Sequence, residues 1–257
     1  MKRMYFLVLI FSITSCNNND TIKNAVIDSL KKVIQTKESE IKWIKRKNPG
    51  VIVVNQEAST CAINFFYPFG LKVEIVDKRP DFNEKTFFCV AGAYTSKSGT
   101  IDGIFINNGQ IINDTYNIQL TGLCITRNDS LIIETKDKLN DELIKKVVSE
   151  KSSLFQQTLL IKNGLIVDCN IFGDAVNLRR ALIKFNDGSY LVGESHRAMS
   201  IQEFQSTLKE IGAIDAVNLD MGSWSEGWYK SNNGKMSIGD NFLNTNRQTN
   251  WIVYSLK

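Results

Sequence analysis

An α+β fold is the class that this sequence predicts, with a mixed, mostly antiparallel sheet built of hairpins, few helices, and a preceding N-terminal helix. Three observations predict it. Short apolar runs are joined repeatedly by Asn-Gly or Asp-Gly turns, which favour β-hairpins. Apolar residues follow helical spacing in only a few segments. A well-marked helix over residues 200–211 leads directly into an apolar strand over residues 216–219, so helix and sheet share one domain.

The N-terminus predicts a bacterial lipoprotein signal peptide. Lys2 and Arg3 precede an apolar run over residues 5–11, which is too short to span a bilayer as a helix. The run ends in Ile13-Thr14-Ser15-Cys16, an arrangement typical of a lipobox. We therefore expect residues 1–15 to be removed and Cys16 to be acylated, which would anchor the protein to the membrane of the bacterial cell envelope, at the outer membrane or the periplasmic face. A plain secretory signal with a coincidental cysteine is the alternative.

Residues 16–48 are predicted to form a polar tether and an amphipathic helix. The helical stripe consists of apolar residues spaced mostly three or four apart, and it ends before Asn48-Pro49-Gly50. The helix can serve as a spacer, pack on the main domain, or form a short coiled coil for assembly. The remaining residues, 49–257, are numerous enough for one core and contain no linker, so they are predicted to form a single domain. The apolar stripe of the predicted N-terminal helix comprises Ile27, Leu30, Ile34, Ile41 and Ile44.

The net charge, the cysteine spacing and the motif content argue against a nucleic-acid-binding protein, a zinc site and a bound cofactor. The formal net charge is +4, and removal of Lys2 and Arg3 with the signal peptide lowers it to +2, so nucleic acid is not an expected partner. The four cysteines beyond Cys16 are widely spaced and lie among apolar residues, which favours buried free thiols over a zinc site or disulfides. No metal-ligand cluster, phosphate-binding loop or dinucleotide motif occurs, so we expect neither a metal nor a cofactor.

Strands are predicted over most of the chain after residue 50. A β-branched run over residues 51–54 opens the domain, and runs over residues 86–91 and 251–254 are predicted as single strands. The apolar runs on either side of Tyr67-Pro68-Phe69-Gly70 predict a hairpin. Four further hairpins are predicted around Asn108-Gly109, Asn128-Asp129, Asn163-Gly164 and Asp187-Gly188.

Two helices are predicted within the main domain. Residues 140–150 carry apolar side chains at helical spacing. The helix over residues 200–211 is marked at both ends, because Ser200 and Glu203 match a capping box and Gly212 is suited to the position that follows a helix.

Asp220 is the first candidate catalytic residue, because it ends the apolar strand where the chain enters a loop of small residues. A carboxylate there can act as general acid or base, or orient a sugar hydroxyl. Glu226 can supply the second carboxylate that glycoside cleavage usually needs. Asn218 shares a strand face with Asp220 if no bulge intervenes. The alternatives are a carboxylate that caps the following turn and an exposed loop glutamate.

The loop after Asp220 supplies candidate substrate-binding residues. Gly222 lets a ligand approach the backbone, and Ser223 and Ser225 offer hydroxyls to a sugar or phosphate. Trp224 can stack on a sugar face, or it can pack on the core as a lid.

His196 is the single histidine of the sequence and the third catalytic candidate. Glu194 lies two residues earlier and shares its face if this segment is a strand. A histidine beside a carboxylate can transfer protons near neutral pH, so Glu194 is a candidate for binding substrate with it. A structural role is the alternative for this lone histidine.

Residues 85–230 resemble the phosphodiester glycosidase family in the order of their motifs. The central strand, helix and apolar run are similar to the family's Arg-x-Ala-Leu, Ser-Ile and Leu-Asp segments. The matching segments in this chain are Asp102 to Gly109, Lys162-Asn163-Gly164, Arg179-Arg180-Ala181-Leu182, Asp187-Gly188, Ser200 to Phe204 and Ile211 to Asp220.

The resemblance implies a hydrolase that cleaves a sugar-1-phosphodiester or a related glycosidic linkage in envelope or extracellular glycans. Arg179 aligns with the family's arginine and would bind the phosphodiester through its guanidinium, with Arg180 as the adjacent candidate. The implied partners are a glycan or sugar-phosphate substrate and, through the lipid anchor, the membrane.

Three departures from the family pattern keep a second function open. The family's Gly-Gly-Gly-Ser-Ser loop is replaced by Met221 to Ser225, its early Asn-Gly-Gly segment by Ala91 to Thr95, and a frequent Asp-Gly by Glu194-Ser195-His196. A protein with such a loop could be a non-catalytic envelope lipoprotein that binds a glycan or a partner on the same fold.

Overall fold

Three antiparallel sheets and two α-helices make up the part of the chain that the structure describes, which confirms the mostly antiparallel strands with few helices. The structure is a computed structural model that describes residues 48–96, 98–169, 173, 175–221, 225–240, 242 and 245–257. The predicted signal peptide, Cys16 and the N-terminal helix lie outside these residues, as do Gly222, Ser223 and Trp224.

The strands are short and follow one another closely along the chain. In order they are β1 (Gly50–Gln56), β2 (Ile63–Phe69), β3 (Lys72–Val76), β4 (Thr86–Ala91), β5 (Phe105–Asn107), β6 (Gln110–Asn113), β7 (Gly122–Arg127), β8 (Ser130–Thr135), β9 (Ser153–Gln157), β10 (Leu159–Lys162), β11 (Leu165–Ile166), β12 (Arg180–Lys184), β13 (Tyr190–Ser195), β14 (Asp215–Asn218), β15 (Gly227–Ser231), β16 (Gly234–Ile238) and β17 (Trp251–Ser255).

These strands divide among three sheets rather than the one sheet expected from the sequence. The first sheet has the order β1-β2-β13-β12-β14-β10-β11, the second β16-β15-β4-β17-β3, and the third β6-β5-β9-β7-β8. Every strand pairing among the described residues is antiparallel, so the mixed component of the expected sheet is not seen there.

The Asn-Gly, Asn-Asp and Asp-Gly turns form the hairpins that the sequence predicts. They join β5 to β6, β7 to β8, β10 to β11 and β12 to β13. Asn108 and Asn163 have φ values of 48° and 51°, in the left-handed region, and each is followed by a glycine that is also left-handed. This is the backbone of a type I′ turn, whose twist matches that of the flanking strands.

The predicted hairpin around Tyr67-Pro68-Phe69-Gly70 is wrong, although both of its strands form. β2 pairs with β1 and β13 in the first sheet, whereas β3 pairs with β17 in the second. The chain crosses at Gly70 from one sheet to the next, because Phe66 and Val73 both face the core between the sheets. Burial of apolar side chains from both runs therefore separates the two strands that local turn chemistry would have paired.

Both predicted helices of the main domain are confirmed. α1 (Asp141–Ser149) is capped by the side chain of Asn140, which accepts from the N–H of Leu143. α2 (Ile201–Glu210) begins with the complete capping box of Ser200 and Glu203, and Gly212 follows it at φ +86°. No helix among the described residues has the length and apolarity that a bilayer crossing requires.

One apolar core lies between the three sheets, and smaller clusters lie on their outer faces. The outer face of the first sheet packs against Ile201, Phe204 and Leu208 of α2. The outer face of the third sheet packs against Val147 of α1. The inner core receives side chains from all three sheets, among them Phe66, Val192, Phe88, Ile252, Phe105 and Phe155.

Candidate active site

Asp220 lies just beyond the end of β14, the strand that β12 and β10 flank in the first sheet. The preceding residues, Val217 and Leu219, are fully buried in the core and carry the chain to this point. Asp220 is itself buried, with 5% of its surface exposed. Its backbone N–H donates to the carbonyl of Gly92 over 3.0 Å, and its Oδ2 accepts from the N–H of Thr95 over 3.0 Å. The carboxylate is therefore held by the loop that follows β4.

That loop is itself fixed by Asn250, which precedes β17. The side-chain Oδ1 of Asn250 accepts from the N–H of Ala93 at 2.6 Å, and its Nδ2 donates to the carbonyl of Ala93 at 3.0 Å. A Cβ on Gly92 would lie 2.7 Å from the same Oδ1, so the close approach of this amide requires glycine. Residues 92–95 thus form a rigid support for Asp220.

Tyr94 brings a phenol to the same region. Its hydroxyl accepts from Nδ2 of Asn218 at 2.8 Å and lies 3.5 Å from the hydroxyl of Thr158. Burial raises the pKa of Tyr94 well above its ordinary range, and the negative charge of Asp220 acts in the same direction. The phenol therefore stays protonated at neutral pH and can donate a hydrogen bond, but it cannot serve as a base.

The structure separates the two neighbouring arginines. Arg179 is buried, and its guanidinium donates to the backbone carbonyls of Met199, at 3.0 Å, and of Ala175. Burial lowers the pKa of this guanidinium. Arg180 is fully buried and donates through Nε to Oε2 of Glu194 at 2.8 Å, with a second contact from Nη2.

Arg180 also links Glu194 to the segment that carries two other candidates. Its Nη2 donates to the carbonyl of Ser225 at 2.9 Å. The hydroxyl of Ser225 donates to Asp240 at 2.8 Å, and the N–H of Gly239 donates to Glu194 at 3.2 Å. Arg180, Glu194 and Ser225 therefore form one bonded group between the first sheet and the turn after β16.

Glu226 lies beside this group in an ion-paired environment. Nη2 of Arg79 is 2.5 Å from both carboxylate oxygens, and Nζ of Lys235 is 3.7 Å from Oε1. The carboxylate side chain is only 7% exposed, but it borders a cavity of about 360 Å³. The cavity is lined by Arg79, Glu226, Ser237, Phe242, Thr245 and Asn246.

His196 lies away from these carboxylates, on the exposed side of the first sheet. Its Nε2 is 2.7 Å from Nδ2 of Asn55 and 2.7 Å from Oδ1 of Asn64. Among the described residues, no contact of its side chain reaches Asp220, Glu194 or Glu226. β13 ends at Ser195, so Glu194 turns inward while His196 has left the strand.

The structure thus brings Asn218 and Asp220 together around Tyr94, and Arg180, Glu194 and Ser225 together around the turn at Gly239. Sequence reasoning did not select Tyr94, Thr95 or Arg79. Tyr94 and Thr95 could have been found, because they belong to the segment that resembles the family's early Asn-Gly-Gly loop. No feature of the sequence around Arg79 indicates its contact with Glu226.

In the described part of the chain, no group of three or more His, Cys, Asp or Glu side chains is arranged to hold a metal ion.

Comparison with solved structures shows a shared fold at low sequence identity. The zebrafish N-acetylglucosamine-1-phosphodiester alpha-N-acetylglucosaminidase catalytic domain, auto-inhibited by its pro-peptide, superimposes with a TM-score of 0.56 and 13% identity, over 82% of this chain and 83% of that chain. A hypothetical protein from Synechocystis gives a TM-score of 0.54 and 11% identity, over 80% of this chain and 62% of that one.

The family assignment follows from the sequence itself. No curated protein matches the chain in a direct comparison. Residues 85–254, well over half of the chain, match the family model described as phosphodiester glycosidase, and this range contains Asp220, Glu226, both arginines and the loop over residues 92–95. The chain therefore belongs to the phosphodiester glycosidase family, whose members are hydrolases.

Proposed function

We propose that this protein is an exported lipoprotein that hydrolyses a sugar-1-phosphodiester, or a related glycosidic linkage, in envelope or extracellular glycans. The observation that carries the proposal is the setting of Asp220 within the family-matched region. This buried carboxylate follows a core strand, is oriented by the N–H of Thr95, and lies near a protonated phenol. Membership of a hydrolase family supports the same reaction class.

The reaction needs few groups from the protein. Hydrolysis breaks the bond between the anomeric carbon and a phosphate oxygen, and the electron pair of that bond leaves with the phosphate monoester. The oxygen of water bonds to the anomeric carbon and gives its proton to a base. We assign the base to Asp220, because its carboxylate is oriented by the backbone N–H of Thr95, which donates to Oδ2. Glu226 is assigned as the second carboxylate, which stabilises the positive charge that develops on the sugar.

Two residues that the sequence suggested are given other roles in this proposal. The guanidinium of Arg179 is occupied by the carbonyls of Met199 and Ala175, so we assign it to positioning the segment before β12. His196 is bonded to Asn55 and Asn64 on the exposed side of the sheet, so proton transfer is assigned to the carboxylates alone.

The test is turnover by the full chain, purified in detergent, on a panel of chromogenic glycosides and sugar-1-phosphodiesters. Asp220→Asn keeps the size of the side chain but removes its basicity. We expect it to lower kcat by about 10²- to 10⁴-fold, the usual contribution of a general acid or base.

Asp215→Asn is the matched control. Asp215 lies on β14, is buried to a similar degree, and pairs with Lys162 at 3.4 Å, so its loss tests for damage to the strand without touching the site. Full activity of Asp220→Asn on a substrate that the wild type cleaves would contradict the proposal.

A non-catalytic protein that binds a glycan is the second candidate. It is favoured by the pairing of Glu226 with two cations and by the replacement of the family's loop glycines. Isothermal titration with sugar phosphates separates the two functions, because binding without turnover of any substrate in the panel supports the second.

A further inference from the structure

The cavity beside Glu226 has the chemistry of a site for an anion. Its lining includes the cationic residue Arg79, the polar residues Ser237, Thr245 and Asn246, and the apolar residue Phe242. Its volume of about 360 Å³ falls within the range of small-molecule sites. Among the described residues of this lining, Glu226 is the one carboxylate.

Arg79 is placed to bind a second anion while it keeps its bond to Glu226. Both of its bonds to the carboxylate run through Nη2, and in the described residues no hydrogen bond of Nε or Nη1 is found. Its side chain is 48% exposed. A guanidinium carries five N–H donors in a planar fork that matches the oxygens of a phosphate, so the unused edge is available to such a group.

The charge around the cavity also favours an anion. Arg79 and Lys235 both contact the one carboxylate of Glu226, so two cations face a single acidic group in this ion-paired cluster. Nζ of Lys235 also lies 5.6 Å from the centre of the Trp228 ring, which positions the ammonium beside Glu226. The ammonium of Lys235 therefore offsets part of the repulsion between Glu226 and a phosphate bound at Arg79.

We propose that this cavity is the subsite that receives the phosphate group of the substrate, with Arg79 bridging that phosphate and Glu226. The proposal rests on the proposed function for its substrate class. It also adds a residue that the family assignment does not supply, because Arg79 precedes the matched range of residues 85–254.

A purely structural ion pair is the competing explanation. The segment that joins β3 to β4 contacts β15 and the residue before it in three ways. These are the Arg79–Glu226 pair, the edge-on packing of Phe82 on Trp228, whose ring centres are 5.3 Å apart, and a hydrogen bond of 3.1 Å from Nζ of Lys230 to the carbonyl of Glu84. Phe82→Ala removes the second contact without changing the charge, so it reports what loosening of this segment does by itself. Arg127→Ala removes an arginine from another carboxylate pair, with Glu150.

The first measurement is isothermal titration of inorganic phosphate into the full chain in detergent. We expect Arg79→Ala to weaken binding at least about tenfold, because a charge-assisted bond to the anion is lost. Arg79→Lys should restore part of the affinity, whereas Phe82→Ala and Arg127→Ala should bind like the wild type. Absence of phosphate binding by the wild type, equal binding by Arg79→Ala, or an equal loss in Phe82→Ala would each overturn the proposal.

The second measurement separates failure of this proposal from failure of the proposed function. With a sugar-1-phosphodiester, Arg79→Ala should raise KM by about tenfold or more, whereas KM for a neutral aryl glycoside should stay unchanged. Phosphate binding that depends on Arg79 in a protein without turnover would support the subsite and contradict the hydrolase. Turnover of the phosphodiester with an unchanged KM in Arg79→Ala would retain the hydrolase and overturn the subsite.

Discussion

Arg180 and Glu194 lie directly opposite each other on β12 and β13, and both are buried. The guanidinium of Arg180 donates hydrogen bonds to Glu194 and to the carbonyl of Ser225, while its Nη1 has no hydrogen-bond partner among the described residues. A buried ion pair of this kind contributes little compared with an apolar pair, but loss of one partner leaves an uncompensated charge. The pair therefore acts mainly to position Ser225 and the turn at Gly239.

Arg180→Met should lower the free energy of unfolding by about 3–5 kcal/mol, because it leaves the carboxylate of Glu194 buried and unpaired. Urea unfolding followed by circular dichroism measures this change. Arg127→Met is the control, since the Arg127–Glu150 pair is partly exposed and its loss should cost about 1 kcal/mol or less. Equal effects of the two substitutions would show that burial does not decide the cost.

The four described cysteines are free and buried, as the sequence predicted. Burial raises the pKa of Cys89 and Cys124 far above the ordinary value, and raises that of Cys169 from 9.0 to about 11. These thiols are therefore poor nucleophiles at neutral pH, because the thiolate is the reactive form.

Stability should fall as the pH rises from about 9 to 11. The folded-state pKa of Cys169 exceeds that of the unfolded chain, so the native state keeps a proton that the unfolded state releases. The contribution is complete below pH 9 and is lost as the pH passes through about 11. Urea unfolding across this range should give a shallower decline for Cys169→Ala. The decline that remains comes from Cys89 and Cys124, whose pKa values burial also raises, and above pH 10 from Tyr190 as well, whose pKa burial raises to about 12.

At the scale of elements, the turn after β16 depends on one glycine. Gly239 has a φ of +88°, and a Cβ at this position would lie 2.1 Å from the carbonyl oxygen of Ser225. The close approach lets its N–H reach Glu194. This turn therefore connects the β15–β16 hairpin to the buried pair on the first sheet, and it is next to the segment that carries Glu226.

Gly239→Ala should destabilise the protein more than Gly188→Ala and should also reduce turnover. Gly188 has a similar φ of +80° but open space around it. Its substitution should therefore lower the free energy of unfolding only by the strain of a left-handed alanine, about 1–2 kcal/mol. Gly239→Ala adds a collision that displaces the Ser225–Glu226 segment. Thermal unfolding and turnover, measured on both variants, check the difference. Equal melting temperatures would exclude a role for the close contact.

β9 shows why some elements could not be predicted from pattern alone. All five of its residues are buried, but two of them are glutamines, so the segment lacks an apolar run. Oε1 of Gln156 accepts from the N–H of Ile104 at 2.9 Å and of Asn117 at 3.0 Å. The strand is buried because loops elsewhere in the chain satisfy its polar side chains, and these partners cannot be read from residues 153–157.

At the scale of the whole molecule, the remaining prediction concerns the membrane. We propose that Cys16 is acylated and anchors the domain to the cell envelope, as the order of basic, apolar and small residues before it indicates. In a bacterium that processes lipoproteins, the wild type should be found in the membrane fraction and should incorporate labelled palmitate. Cys16→Ser should lose the label, whereas Cys61→Ser should keep it. Equal labelling of wild type and Cys16→Ser would contradict acylation at this cysteine.

The sequence by itself determined the features whose causes are local. Asn-Gly and Asp-Gly turns specify their hairpins, because the required φ values depend on the turn residues themselves. Ser200, Glu203 and Gly212 delimit α2 for the same reason. The order of motifs along the chain was sufficient for the family, which the match over residues 85–254 confirms. The local sequence also indicated Asp220 as a candidate, because a strand that ends in a carboxylate is visible in a few consecutive residues.

Only the tertiary structure decided which distant residues meet. Thr95 binds Asp220 from 125 positions away, and Arg79 reaches Glu226 across 147 positions. The same applies to β2 and β3, which belong to different sheets although the turn between them suggested a hairpin. Such pairings depend on how the whole chain buries its apolar surface between three sheets. No local pattern encodes that arrangement, because each contact is stabilised by the core that all the strands form together.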